Sequence, residues 1–296
     1  MNLVFLGAGA SHGSDIANTP PLGNRLFDEL ADFDPQGWGK LSRDWQQEFR
    51  DDFEAAMLGF LTKGFFGAPL QWKMAEYFFK RFIISPTNIY IKLLSMISGR
   101  LEEFSIATLN YDTLLFQAAA RTNVSLAVGS PENDQGKLSL CLPHGSSVIC
   151  CEGIKGSKGV SYSYGVSTGG RVRIFRDNAD FDNEMASNVF PPAMSYFEPN
   201  KHTVSCSEYI KSQREVFKAW VSSAAAIAII GVNVHPLDSH IWEPISLTKA
   251  HILYIGGMGG GGAFETWATD QDLEHYSIVP EYFAEGLSEL KVFFNL

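Results

Sequence analysis

The sequence predicts an α/β fold, a doubly wound and mostly parallel sheet with helices on both faces. Three observations carry that expectation. Short apolar runs alternate with stretches of helical spacing, the pattern of strand, crossover helix and parallel strand. The run Ala226-Ile227-Ala228-Ile229-Ile230 is apolar at every position, as a strand buried on both faces must be. Glycine-rich or polar clusters follow the ends of the apolar runs, and open α/β sheets bind ligands beyond their strands' carboxyl ends.

In chain order, Leu3 to Leu6 reads as a strand running straight into the glycine turn Gly7-Ala8-Gly9-Ala10-Ser11. Such a turn brings backbone close to a phosphate, and a helix starting beyond it offers its dipole to a pyrophosphate. A Gly-x-Gly after a strand is also an ordinary βα turn, and here His12 stands where a dinucleotide fingerprint wants a third glycine. Asn18 to Gly23 is a loop, and Asn24 to Phe33 has helical spacing at Leu26, Phe27 and Leu30. From Trp38 to Arg100 helix formers and bulky apolar residues predict a helical insertion of roughly four helices, broken at Gly64, Gly67, Pro69 and Pro86. Its aromatic stripe is expected in the core.

The next strand, Phe104 to Leu109, ends in Asn110-Tyr111-Asp112 and leads to a helix over Thr113 to Arg121. Leu138 to Leu142 is a strand followed by Pro143-His144-Gly145-Ser146. Residues 151–205 are rich in Gly, Ser, Tyr and Pro, and predict a loop and hairpin insertion with an alternating stretch at Arg171 to Phe175 and no helix before Thr203. A helix from Cys206 to Ala224 precedes the Ala226 strand. His251 to Ile255 is a further strand, and the tract Gly259 to Gly262 reads as a surface loop more readily than as a phosphate cradle. The whole is a Rossmann-like arrangement, expected as one domain over residues 1–296.

Composition narrows the function classes. The chain of 296 residues is 45% hydrophobic and 13% aromatic, enough for a substantial core. Its net charge is -10 and it has no block of Lys or Arg, so direct nucleic-acid binding is not expected. The first apolar run stops at Gly7, short of a signal-peptide core, and the longest, Ala224 to Gly231, is far below a membrane span. A cytoplasmic protein without membrane contact is expected. The four cysteines, Cys141, Cys150, Cys151 and Cys206, have no C-x-x-C spacing; they are expected as buried or free thiols, with no bound metal.

Taken in order, Gly7-Ala8-Gly9-Ala10-Ser11, Pro21-Leu22-Gly23, Thr108-Leu109-Asn110-Tyr111-Asp112, Pro143-His144-Gly145 and Ile230-Gly231-Val232-Asn233 with Asp238 resemble the sirtuin-like domain of prokaryotic anti-phage proteins. The likeness spans nearly the whole chain and is thinnest in the two insertions. It implies NAD as a substrate and not as a retained cofactor, with cleavage of the nicotinamide–ribose bond and depletion of NAD in anti-phage defence. It further implies that Asn110 and His144 are the catalytic pair, that Gly7, Ala8, Gly9 and Ser11 hold the pyrophosphate, that Asp112 lies beside nicotinamide, and that Gly231 and Asn233 face the adenosine side. Relatives commonly work as oligomers or with a ring-shaped helicase-type ATPase, so a homo-oligomer or such a partner is expected. The chain lacks the four-cysteine zinc module of sirtuin deacylases, which makes water the expected acceptor.

The chemistry suits these residue types. Nicotinamide leaves as a neutral molecule, so the site must hold the ribose and stabilise an oxocarbenium-like transition state. An Asn amide offers both donor and acceptor, and a histidine can take a proton from water at neutral pH. Other readings of the same residues stay open: Asn110 or Asp112 as helix caps, His144 as a loop residue, and His12 as phosphate contact or solvated side chain. His235, Asp238 and His240 look like a metal cluster but are expected to be structural or ligand-shell residues. Two rival functions remain, a non-catalytic NAD or ADP-ribose sensor and a nicotinamide-cofactor oxidoreductase. The latter needs an acidic residue ending a second strand, whereas Asp28, Glu29 and Asp32 lie on or beside a helical pattern.

Overall fold

A computed structural model describes residues 1–62, 68–128, 136–156, 168–195, 205–235 and 238–296. The chain opens with β1 (Asn2–Leu6), α1 (Ala8–His12) and α2 (Gly23–Phe33), followed by four helices, α3 (Arg43–Asp51), α4 (Phe53–Thr62), α5 (Ala68–Lys80) and α6 (Ile89–Ile97). Then come β2 (Phe104–Thr108), α7 (Leu114–Arg121), β3 (Leu126–Val128), β4 (Leu138–Cys141), β5 (Ile149–Cys151), β6 (Val172–Ile174) and α8 (Asn178–Ser187). The last third holds α9 (Ser207–Ser223), β7 (Ala226–Ile230), α10 (Ser239–Ser246), β8 (His251–Ile255), α11 (Gly257–Asp270), β9 (Tyr276–Val279) and α12 (Leu287–Phe293).

Among the described residues, seven strands form one sheet in the order β3-β4-β2-β1-β7-β8-β9, and every pairing in it is parallel. The period of two sorts the side chains. Val4 and Leu6 of β1, Ala228 and Ile230 of β7, and Leu253 and Ile255 of β8 join one core with α2, α6, α7 and α12. Leu3, Phe5, Ile227, Ile229, Ile252 and Tyr254 enter a second core with Phe217 of α9, Ile241 of α10 and Phe264 of α11. Helices therefore cover both faces, and the central strands carry no polar face because none of their faces meets water. Each such buried Val, Leu or Ile contributes roughly 1.5–3 kcal/mol of transfer free energy. This is the doubly wound Rossmann-like α/β fold that the alternation predicts.

β1 lies at the centre with β2 on one side and β7 on the other. The chain builds one half of the sheet outward from β1, then returns across it to build the other half. The carboxyl ends of β1 and β7 thus flank the switch point, where the crossover loops diverge and leave a crevice.

Several elements depart from expectation. The tract Gly259 to Gly262 is the beginning of α11 and no loop; Phe264 and Ala268, both buried, tie the helix to the sheet and offset the roughly 1 kcal/mol that each glycine costs in a helix. The second insertion contains α8 before Thr203, capped by the Asp177 side chain accepting from the Asp180 N–H at 2.8 Å. Its hairpin pairs β5 with β6 antiparallel. Gly64 and Gly67, expected to break the helical insertion, lie outside the described residues, as do 157–167 and 196–204 of the second insertion. Two cysteines are bonded and not free: Cys151 and Cys206 form a disulfide. Cys141 and Cys150 are buried thiols, and burial pushes the Cys150 thiol up to about 12. Among the described residues, no helix is long and apolar enough to cross a membrane.

Candidate active-site cleft

The glycines after β1 and β7 pack against one another. Gly7 N–H donates to Ile230 O and Gly9 N–H to Gly231 O, both at 2.9 Å, so the two turns are stitched backbone to backbone. A Cβ on Gly7 would sit 2.5 Å from Gly231 O, and one on Gly9 would sit 2.9 Å from Gly231 Cα. Gly231 has φ +61 and would drive a Cβ into the Ala10 nitrogen. The N–H groups of Gly7 and Gly9 are thus spent holding the turns together and offer no bare donor to a phosphate. Ala8 is the exposed residue of the turn that faces the cleft.

The cleft above these turns has a volume of about 510 Å³, within the usual range for small-molecule sites. It is lined by every expected site residue: Gly7, Ala8, Gly9, Ser11, Asn110, Asp112, His144, Gly231 and Asn233. Gly256 and Gly260, around the start of α11, also line it. There a Cβ on Gly256 would meet the Tyr254 ring at 2.5 Å, so the glycine lets α11 start tight against β8. The first turn of α11 has no acidic residue of its own to offset the positive end of the helix dipole.

Asn110 stands just past β2, its N–H donating to Thr108 Oγ1 at 3.1 Å. Its Nδ2 donates to Gly7 O and to Ser11 Oγ, both at 2.9 Å, and lies 3.4 Å from Tyr90 OH. It caps no helix. Asp112 does serve the helix start, with Oδ1 accepting from Leu114 N–H at 3.0 Å. Burial raises the Asp112 pKa; hydrogen bonds from Leu114 N–H and the Ser11 hydroxyl oppose that shift. Ser11 is therefore the junction of the floor: its oxygen is 2.9 Å from Tyr90 OH, accepts from Asn110, and its hydroxyl reaches Asp112. Tyr90, on α6 of the helical insertion, is fully buried, and burial together with the Asp112 charge pushes its phenol well above the ordinary range. No sequence pattern marks Tyr90, which reads as one more aromatic residue of an amphipathic helix.

His144 follows β4 in a turn closed by Gly145 N–H to Leu142 O at 2.8 Å. Gly145 has φ +76, and a Cβ there would strike Ala193 O. The far end of the second insertion clamps this turn through Ser146 N–H to Ala193 O at 2.9 Å and Ser195 N–H to His144 O at 2.7 Å. His144 is buried, and its Nε2 lies 2.9 Å from Nε2 of the half-buried His240 on α10. The expected grouping of His235, Asp238 and His240 is thus split. His235 Nε2 sits 3.8 Å from Glu54 of α4, across the mouth, while Asp238 and His240 join His144 with candidate ligand atoms within 4.8 Å of one another. Two imidazoles and a carboxylate are metal-competent donors, but two nitrogens on one tetrahedral zinc, each at ~2.0 Å, stand roughly 3.3 Å apart. The observed 2.9 Å is the spacing of an N–H···N hydrogen bond.

His12 Nδ1 lies 2.8 Å from Pro20 O; the carbonyl only accepts, so Nδ1 carries a proton. Charge in the cleft is one-sided: Glu54, Asp112 and Asp238 line it, and no Lys or Arg does among the described residues. No protein-family model and no curated protein matches the chain.

Proposed function

We propose that the chain is an NAD glycohydrolase that cleaves the nicotinamide–ribose bond to give nicotinamide and ADP-ribose. The observation that carries this reading is the opening of Asn110 and His144 into one nucleotide-sized cleft at the switch point of the sheet. In the reaction the C1′–N bond breaks with its electrons going to the nicotinamide nitrogen, which becomes neutral. A water oxygen forms the new bond to C1′, and the water's proton passes to His144. The acidic lining favours the cationic pyridinium on binding and the positive charge as it moves to the ribose. Asn110 presents its carbonyl oxygen to a ribose hydroxyl or to the water, while its NH₂ holds the glycine turn and Ser11. The pyrophosphate would lie between the exposed Ala8 and the acid-free first turn of α11. We take the enzyme to be cytoplasmic, on its short apolar runs, and the resemblance in sequence implies a role in anti-phage defence as a homo-oligomer or with a ring-shaped ATPase.

The test is chromatography of nicotinamide and ADP-ribose after incubation of the purified protein with NAD across pH and protein concentration. Wild type releases both, and Asn110→Ala and His144→Ala slow release by roughly 10²–10⁴-fold. Intact NAD under every condition overturns the reading. One observation favours a second reading, a non-catalytic NAD or ADP-ribose sensor: the NH₂ of Asn110 is already engaged by Gly7 O and Ser11 Oγ. A sensor would raise its melting temperature with NAD and release no nicotinamide.

A further inference from the structure

His240 does not line the cleft, yet its ring nitrogen touches that of His144, which does. Two neutral imidazoles meeting Nε2 to Nε2 hold a single proton between them, so one ring donates and the other accepts. The ring centroids are 5.1 Å apart at 42°, a tilt that keeps the contact at the ring edges and not at a stacked face. We propose that His240 is a positioning residue for His144 and the second holder of its proton, so that the pair acts as one base. This deepens the proposed hydrolase and rests on it for its kinetic consequences, while the pairing itself stands on the geometry.

The proton balance is simple. The neutral pair carries two ring protons, one of them shared. When His144 gives the shared Nε2 proton toward His240, its ring is fixed in the tautomer whose basic nitrogen is Nδ1. A proton that arrives at Nδ1 lets the Nε2 proton cross 2.9 Å to His240, and the positive charge moves from the buried ring to the half-buried one. Asp238, two residues before His240 and grouped with both rings, stabilises that imidazolium. Among the described residues, the charged groups near the pair include Asp112 beyond β2, Arg214 of α9, whose Nε donates to Pro143 O at 3.4 Å, and Glu54 with His235 at the mouth. Arg214 opposes a second positive charge near the pair; Asp238 favours the first.

The experiment is nitrogen-15 NMR of the histidine side chains through a pH titration, on wild type, His240→Gln and His240→Phe, alongside NAD-cleavage rates across pH. In wild type the two rings titrate as a coupled pair and His144 shows one dominant tautomer. In His240→Phe the tautomer preference is lost, His144 titrates alone, and kcat falls roughly 10- to 100-fold with KM little changed, less than the roughly 10²–10⁴-fold expected of the base itself. His240→Gln, whose amide oxygen can still accept from Nε2–H, keeps the tautomer and recovers part of kcat. Unchanged His144 tautomer and titration in a folded His240→Phe overturns the proposal. So does one zinc ion per chain that is lost with His240→Gln, which would make the three residues a metal site. If wild type releases no nicotinamide, the hydrolase reading fails, and the NMR arm decides the pair by itself.

Discussion

The two walls of the cleft are made by opposite means. On one, Gly7, Gly9 and Gly231 bring backbone against backbone, and every added Cβ would collide with main chain. On the other, Ser11 joins Asn110 and Asp112, and His144 meets His240, through side-chain hydrogen bonds, each replaceable by a near-isostere. The glycine wall is specified by what is missing, so it tolerates almost no substitution. The side-chain wall is specified by donors and acceptors, so its geometry and its chemistry can be separated.

That contrast is open to measurement. The largest effect belongs to the glycine wall: Gly231→Ala forces a left-handed φ on alanine and a clash with Ala10, costing ~3 kcal/mol or more in urea unfolding, with binding lost as well. A well-folded Gly231→Ala protein would break the comparison. Next comes Ser11→Ala, which removes an acceptor from Asn110 and a donor from Asp112; we expect ~1–3 kcal/mol lower stability with the fold intact by circular dichroism. A smaller effect concerns the charge of the cleft. With three lining carboxylates and no described lining cation, NADP should be cleaved with kcat/KM about 10-fold below NAD, about 1.4 kcal/mol against the added phosphate. Equal rates on both would show that a cation reaches the ribose.

The smallest effect is a slope. Burial raises the Asp112 pKa, so between the unfolded carboxylate value and the folded one the native state binds more protons than the unfolded chain. Stability from this group is present at low pH and falls as pH rises through that window. Asp112→Asn should remove that downward slope, seen as a flatter plot of unfolding free energy against pH, and should gain on wild type at pH 7. An unchanged slope would place the carboxylate in contact with water.

Much of this was legible in the sequence because it follows from local pattern. The all-apolar Ala226 to Ile230 run reads as a central strand, since only a strand buried on both faces does without alternation. The glycine turn, Asn110 and His144 share a cleft because each follows a strand of one parallel sheet. What stayed hidden depends on contacts far apart in the chain. The glycine-rich start of α11 looks like a loop because local propensity opposes a helix, and the packing of Phe264 and Ala268 overrides it. Short edge strands such as β3 and β9 carry too few residues for a period to show. Tyr90 gains its role only when α6 reaches Ser11, 79 positions away in sequence, and His240 only when α10 meets the turn after β4.

The disulfide between Cys151 and Cys206 spans 55 positions and closes nearly the whole second insertion into a ring. In the chain-entropy treatment a ring of that size is worth about 4 kcal/mol against the unfolded state. It also changes what a protease can achieve. A cut anywhere between the two cysteines leaves both fragments joined, with β5 still tethered to the start of α9. On an oxidising gel the nicked chain holds together as one covalent species, and reductant divides it in two.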